Sequence, residues 1–337
     1  MKRILLVVIL ALGIVSFASA QVDFNSFQID FESFASAIAG TLASTTSSAG
    51  LAWSPAYIGQ FPHLGVGVSV GAALMPYSAI SPIVTMVGAT IPPALSALQT
   101  YGVPLPAASV DARLGGFILP FDVGLKVGYL PPEAKQLLGS INLDYLLVGA
   151  DVRLDILKDE GFSPALSIGV GYTYFQGSVG LPGLLSGATD VDITSFMNAA
   201  GYSGPNTLQF TSPDLTFNWQ SNVIEAKVQL SKQLLIFIPH VGLDVSYGIS
   251  KAGGGLASTM TYTGSATFAQ MQAAFVKAGY PAPNAQGMTV LSDASGLAFR
   301  AYGGLDLALL IVHLDFSGTY DILTGAYGGG LNLRVQL

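Results

Sequence analysis

The sequence predicts an all-β fold: an antiparallel transmembrane β-barrel of about ten strands, with twelve as the alternative count. An N-terminal helical segment and short helices in long extracellular loops complete it. Three observations lead there. Apolar and polar residues alternate over runs of about 9–12 residues, the reach of a tilted strand across a bilayer. Charged residues make up only 10 % of the 337-residue chain and mean hydropathy is +0.56, against roughly 25 % charge in an average soluble domain. Beyond residue 20, however, no run of 18 apolar residues offers a spanning helix. Side chains in a strand point to opposite faces with period two, so each alternating run separates an oily surface from a wet one.

From the N-terminus, Met1-Lys2-Arg3 is a basic start, Ile4 to Val15 is apolar, and Ala18-Ser19-Ala20 offers small residues for cleavage. That is the layout of a secretory signal peptide, too short in its apolar run to cross a bilayer. The expected division is a signal peptide over residues 1–20, a helical plug segment over 21–60 and the barrel over 61–337. Loss of Lys2 and Arg3 moves the formal charge from −7 to about −9. This acidic balance argues against nucleic acid as a partner and against polybasic docking on anionic lipid. The chain has no cysteine, which excludes disulfides, thiolate metal sites and lipid attachment to a cysteine.

In the segment after the signal, Phe24, Phe27, Phe31, Phe34 and Ile38 recur at spacings of three and four, one apolar stripe on a helix. A Ser/Thr/Ala stretch and Trp53-Ser54-Pro55-Ala56-Tyr57 follow. A helix is about 10–12 Å wide with its side chains. Ten strands are expected to hold it poorly and twelve to hold it well. The segment is therefore read as partly occluding the periplasmic opening, with Phe24, Phe27, Phe31 and Phe34 as its plug face.

The clearest strands put Leu64, Val66, Val68 and Val70 on one face, then Val123, Leu125, Val127 and Tyr129. Ile168, Val170 and Tyr172 follow, and then Val241, Leu243, Val245 and Tyr247. Tyrosines at strand ends, such as Tyr129, Tyr247, Tyr320 and Tyr327, fit an aromatic girdle at the lipid–water interface. Short connections at Leu119-Pro120, Lys158 to Gly161 and Ser231 to Gln233 alternate with long ones over 75–109, 176–214 and 249–296. Outer-membrane barrels place short turns in the periplasm and long loops outside. The weak joint is Leu309-Leu310-Ile311-Val312, where a turn is required and no turn residue stands. Gly201 to Asn206 and Gly279 to Asn284 share the pattern GYxxPN, each after a helical stretch. With Ala94 to Leu98, these stretches predict three short helices packed as a cap over the barrel mouth.

Charges of both signs have the parity opposite their apolar neighbours: Asp111, Arg113, Asp122, Lys126, Asp151, Arg153, Glu225, Lys227, Asp244, Arg300, Asp306 and Arg334. In a barrel they point into the lumen, where a charge is tolerable only when paired or wet. They predict either a salt-bridged filling or a polar pathway with a movable gate. His63, His240 and His313 fall near the periplasmic end, and the last two are read as satisfied lumen residues. No GxSxG or HExxH occurs and no His/Asp/Glu cluster has metal-ligand spacing, so no enzyme, cofactor or metal is expected.

The signal, the alternating strands and the closing strand from Gly328 to Leu337 resemble the bacterial outer-membrane β-barrel class. The last strand is similar to the C-terminal signal read by barrel-assembly machinery, except that such strands usually end in an aromatic residue and this one ends in Leu337. The Phe-rich segment and Trp53-Ser54-Pro55 resemble uncharacterised spirochaete-type barrels and, faintly, the long-chain fatty-acid transporter group with its N-terminal hatch. No residue-level motif carries over from that group. The resemblance implies residence in the outer membrane, with outer-membrane lipid and the assembly machinery as partners. The expected function is a plugged or gated channel or transporter for a small solute, with hydrophobic ones among the candidates. The alternative is a non-conducting structural barrel or a surface adhesin using its loops.

Overall fold

The computed structural model describes residues 21–337 apart from 49, 51–52, 60, 87–95, 117–119, 131–134, 136–141 and 183–187. The expected signal peptide lies outside the described residues, as does part of the expected helix at 94–98 and of the turn at Leu119-Pro120. In chain order the elements begin with β1 (Gln21–Asp23), α1 (Phe24–Ser48), β2 (His63–Met75), α2 (Ser81–Met86), α3 (Ser96–Tyr101) and β3 (Val103–Gly115). Next come β4 (Phe121–Tyr129), β5 (Asn142–Leu157), β6 (Ala165–Leu181), β7 (Ala188–Asp192), α4 (Thr194–Ala199), β8 (Thr207–Thr211) and β9 (Asp214–Ser231). The chain ends with β10 (Phe237–Ala257), β11 (Met260–Thr263), α5 (Phe268–Lys277), β12 (Gly287–Leu309), β13 (Val312–Asp321) and β14 (Tyr327–Gln336).

Ten strands close into a barrel in the order β2-β3-β4-β5-β6-β9-β10-β12-β13-β14, each antiparallel to its neighbours, and β14 pairs with β2 to seal it. Twelve is excluded. The doubtful joint does turn: Leu309 pairs with Val312, and Leu310 takes a positive φ of 60°. The alternation dictates the two faces. Leu64, Val66, Val68 and Val70 are exposed on the outside, while Asp111, Arg113, Asp122 and Arg153 are buried inside. Such an exterior, apolar over its whole girth, is the signature of a barrel solvated by lipid. Tyr129, Tyr247, Tyr320 and Tyr327 are exposed at the long-loop end. This is the architecture of a bacterial outer-membrane β-barrel. No helix among the described residues is long and apolar enough to cross a membrane.

The wall is lowest at β4, only nine residues long, whose described pairing with β3 covers Val110 to Gly115. Above it, the Ala108 N–H donates to the Tyr145 hydroxyl (2.9 Å), which donates back to the Ala108 carbonyl (3.2 Å). Residues two apart send their N–H groups the same way. Pro104 and Pro106 therefore stand where β3 has no described partner to donate to, the position a strand tolerates proline.

Helix α1 runs inside the barrel, which corrects the expectation that ten strands hold a helix poorly. Glycines in the wall make the room. A Cβ on Gly296 would fall 2.5 Å from the Gly40 nitrogen, and one on Gly71 or Gly330 would fall 2.3 Å from the Ser48 carbonyl oxygen. The helix begins at Asp23, whose carboxylate accepts from the Ser26 N–H (3.2 Å), an N-cap. Its stripe of Phe24, Phe27, Phe31, Phe34, Ile38 and Leu42 is buried.

Over the long-loop end sits a second sheet, in the order β1-β7-β8-β11, which sequence periodicity did not foretell. β1 joins it in parallel with β7, so the start of the plug is stitched into the cap. The two GYxxPN segments fold alike. Gly201 and Gly279 both take positive φ, and the following tyrosine N–H returns to a helix carbonyl: Tyr202 to Met197 (2.9 Å), Tyr280 to Phe275 (3.0 Å). These are Schellman closures. α4 and α5 meet through Phe196 and Phe275, ring centroids 4.5 Å apart, with Phe24 wedged against both at 5.1 Å. α3 packs instead beside the 3-10 turn Tyr77–Ala79, so the cap is two helices and a sheet, not three helices.

Candidate functional site: the plugged lumen

The lumen has an aromatic half toward the long loops and a charged half toward the short turns. In the first, Phe31 and Phe34 of the plug meet Phe217 of the wall at 5.9 and 4.8 Å, and Phe175 lies 5.7 Å from Trp219 and 6.1 Å from Tyr145. Such pairs add about 0.5–1.5 kcal/mol each beyond area burial.

The charged half is built from alternate residues of neighbouring strands. Arg113 donates to Asp122 and to Asp151 (2.5 Å), and Arg153 donates to the other Asp122 oxygen (2.6 Å). His63 Nε2 stands 3.6 Å from the same carboxylate. Across the lumen Arg334 donates to Asp306, to Asn332 (2.8 Å) and to Gln336 (2.7 Å). Arg300 donates to Asp244 and to the Ser246 hydroxyl (3.0 Å), and Glu225 and Lys227 lie 3.6 Å apart. Asp111 accepts from the hydroxyls of Ser69 (2.5 Å) and Ser109 (2.9 Å).

These cations also grip the plug, and they do so by its backbone. Arg153 donates to the carbonyls of Trp53 (2.5 Å) and Pro55 (3.2 Å), and Arg334 to that of Ser54 (2.5 Å). Arg300 reaches the Ser44 carbonyl (2.9 Å) and Lys126 that of Thr46 (2.8 Å). The last turn of α1 has no basic residue of its own. The wall supplies cations to its unsatisfied carbonyls and to the negative end of its dipole. The Trp53 ring lies between two guanidinium groups, 5.3 Å from Arg113 and 5.2 Å from Arg334, where the π face attracts cations.

Every residue nominated from parity for the lumen thus lies on the inner face. They form three groups around the plug: Arg113, Asp122, Asp151 and Arg153; Asp306 and Arg334; Asp244 and Arg300. Glu225, Lys227 and Lys126 border a small polar pocket with Gly50, Asp111 and Asp151 that leaves room for about one water molecule. His313 Nδ1 lies 2.9 Å from an Asp306 carboxylate oxygen. His240 is buried with its Nδ1 3.7 Å from the Asp315 carboxylate. Among the described residues no group of three or more His, Asp or Glu is placed to hold a metal ion. What the sequence reading missed is the role of Trp53-Ser54-Pro55, because the accepting groups are carbonyls common to every residue. The one available signal was that one of the chain's two tryptophans stands just ahead of the first barrel strand.

No protein-family model and no curated protein matches the sequence. Among solved structures, the outer membrane protease OmpT from Escherichia coli aligns over 82 % of this chain and 97 % of its own, at 6 % identity and a TM-score of 0.36. The transport unit of the autotransporter AIDA-I from Escherichia coli aligns over 89 % and 98 %, at 12 % and 0.31. The toluene transporter TbuX from Ralstonia pickettii aligns over 93 % and 98 %, at 9 % and 0.24. At such scores these similarities carry no functional argument, and the assignment rests on the chain's own closed antiparallel barrel, oily outside and charged within: an outer-membrane-type β-barrel filled by its own N-terminal segment.

Proposed function

We propose that the protein is a gated outer-membrane channel for a small, partly apolar solute, with residues 21–60 as the gate and the described state closed. The supporting observation is the chemistry of the grip. Five plug carbonyls are held by wall cations, and a hydrogen bond that water can replace contributes only about 0.5–1.5 kcal/mol net, up to about 3 when a charge takes part. An interface of this kind separates into a wet lumen at small net loss, whereas an oily core does not. Release of the charged half would open a wet path up to an apolar end walled by Tyr145, Phe175, Phe217 and Trp219. The protein is read as a non-enzyme, since His63, His240 and His313 all lie buried at the short-turn end, away from the outer mouth.

The test is reconstitution of the full chain and of a variant lacking residues 22–50 in liposomes. Swelling with a small sugar and ion conductance are expected from the variant and only brief events from the full chain. In the Trp53→Phe background Trp219 is the sole tryptophan, and its emission reports an apolar solute reaching the apolar end. The second reading, a non-conducting structural or adhesive barrel, draws on the closure of both ends, by the cap above and the arginine collar below. It is favoured if both forms fold and neither is permeable.

A further inference from the structure

Two neighbouring hairpins at the short-turn end are tipped with the same apolar sequence, Leu234-Leu235-Ile236-Phe237 and Leu309-Leu310-Ile311-Val312. Each closes in two residues. Leu234 and Phe237 exchange both backbone bonds (2.7 and 3.0 Å), and Leu309 pairs with Val312. In each, the first central residue has positive φ, +61° at Leu235 and +60° at Leu310. That is the position glycine takes in a type II′ turn. A side chain with a Cβ is strained there. Among the described residues nothing offsets the strain, for Leu235 is 90 % exposed and Leu310 98 % exposed. The first tip touches the second hairpin, the Ala308 N–H donating to the Ile236 carbonyl (2.8 Å), and the second tip touches β14, the Gln336 N–H donating to the Ile311 carbonyl (2.8 Å). Together they make one apolar rim.

Depth along the wall indicates what covers it. On β10 the outward tyrosine is Tyr247, ten residues from Phe237, and on β13 it is Tyr320, eight residues from Val312. At roughly 3.3 Å per residue and a tilt of about 40°, these are drops of about 25 and 20 Å. The apolar belt of an outer-membrane barrel is itself about 25 Å tall. Measured down from the tyrosine girdle, the belt reaches both turns, and outward Val241, Leu243 and Val245 run into the rim without a polar break. The tight closure leaves the tip backbones bonded, as hydrocarbon requires. Around the rim, the Lys158-Asp159-Glu160 turn marks the side where it returns to water.

We propose that the two Leu-Leu-Ile tips lie in the apolar zone of the inner leaflet and are covered by acyl chains, anchoring this side of the barrel in the membrane. The proposal rests on the outer-membrane reading and is independent of whether the lumen opens. The chain has no cysteine, so single spin labels at Leu235→Cys and Leu310→Cys can be read in dioleoylphosphatidylcholine vesicles. Leu243→Cys serves as the lipid control and Glu160→Cys as the water control. The expected result is collision with oxygen as frequent as at Leu243 and with a water-soluble nickel chelate several-fold rarer than at Glu160. Nickel access equal to that at Glu160 overturns the proposal and points to a periplasmic partner. Exclusion of both reagents overturns it in favour of a second copy. If a label at either leucine blocks assembly, Ile236 and Ile311 carry it with the same reading. Leu235→Asn with Leu310→Asn relieves the turns yet is expected to lower the yield of folded barrel in these vesicles; an unchanged or higher yield contradicts the proposal.

Discussion

Toward the cap, the plug meets the wall through rings: Phe24 against Phe196 and Phe275, Phe31 and Phe34 against Phe217. Toward the short turns it meets the wall through carbonyls held by Arg153, Arg300, Arg334 and Lys126. The same segment is therefore held by two interfaces of opposite kind. The aromatic half gains from exclusion of water and resists wetting. The charged half tolerates water, because each lost bond has a solvent substitute. The difference gives the gate a direction: release starts in the charged half, and the aromatic half and the β1–β7 pairing keep the segment tethered to the cap.

The contrast can be broken from either side. The largest effect is expected from Arg334→Met, which strands the buried Asp306 carboxylate; removing one partner of such a pair costs about 3–5 kcal/mol. Urea unfolding in vesicles should show that loss, and Arg334→Met combined with Asp306→Leu should recover most of it. Next is Phe31→Ala in the aromatic half, expected to cost about 3–5 kcal/mol by truncating a fully buried ring, with little gain in open events because the latch is intact. Lys126→Met should act the other way. It removes one charge-assisted bond to the Thr46 carbonyl at about 1.5–3 kcal/mol, lowers the unfolding midpoint less than either change above and lengthens open events in planar bilayers.

The smallest effect lies outside the lumen. Burial opposes ionisation of Asp159, but the Gln233 N–H (2.7 Å) and the Lys232 ammonium outweigh it and hold the carboxyl below the usual carboxylate range. A carboxyl lowered on folding stabilises the fold above its unfolded pKa, and that stability is lost as pH falls through the folded value. Acid should therefore slightly loosen the joint between the β5–β6 and β9–β10 turns, read by amide exchange at Gln233. Asp159→Asn should remove the pH dependence.

Parity made the two faces of the wall legible in the sequence, because one residue of slip would turn every charge outward. The spacing of Phe24, Phe27, Phe31 and Phe34 likewise revealed the helix. Its place did not follow from either pattern. It depends on Gly71, Gly296 and Gly330 meeting its backbone, an approach between residues far apart in the chain. The cap sheet arises from pairings such as Gln21 with Asp190, which no local period encodes. The β12–β13 turn was hidden because leucine occupies a glycine position. The latch was hidden because carbonyls leave no mark on a sequence.

The central claim is that movement of the plug against the wall opens the lumen. A Cβ on Gly248 would lie 3.4 Å from that of Ala43, near the spacing a disulfide needs. The Ala43→Cys, Gly248→Cys double variant, in a chain otherwise free of cysteine, can tie helix to wall by a disulfide. Planar-bilayer recordings of the oxidised and reduced protein, beside the variant lacking residues 22–50, measure the claim directly. Silence when oxidised, brief openings when reduced and steady conductance after deletion are expected. Equal conductance in the oxidised and reduced forms, or a folded deletion variant that never conducts, contradicts it.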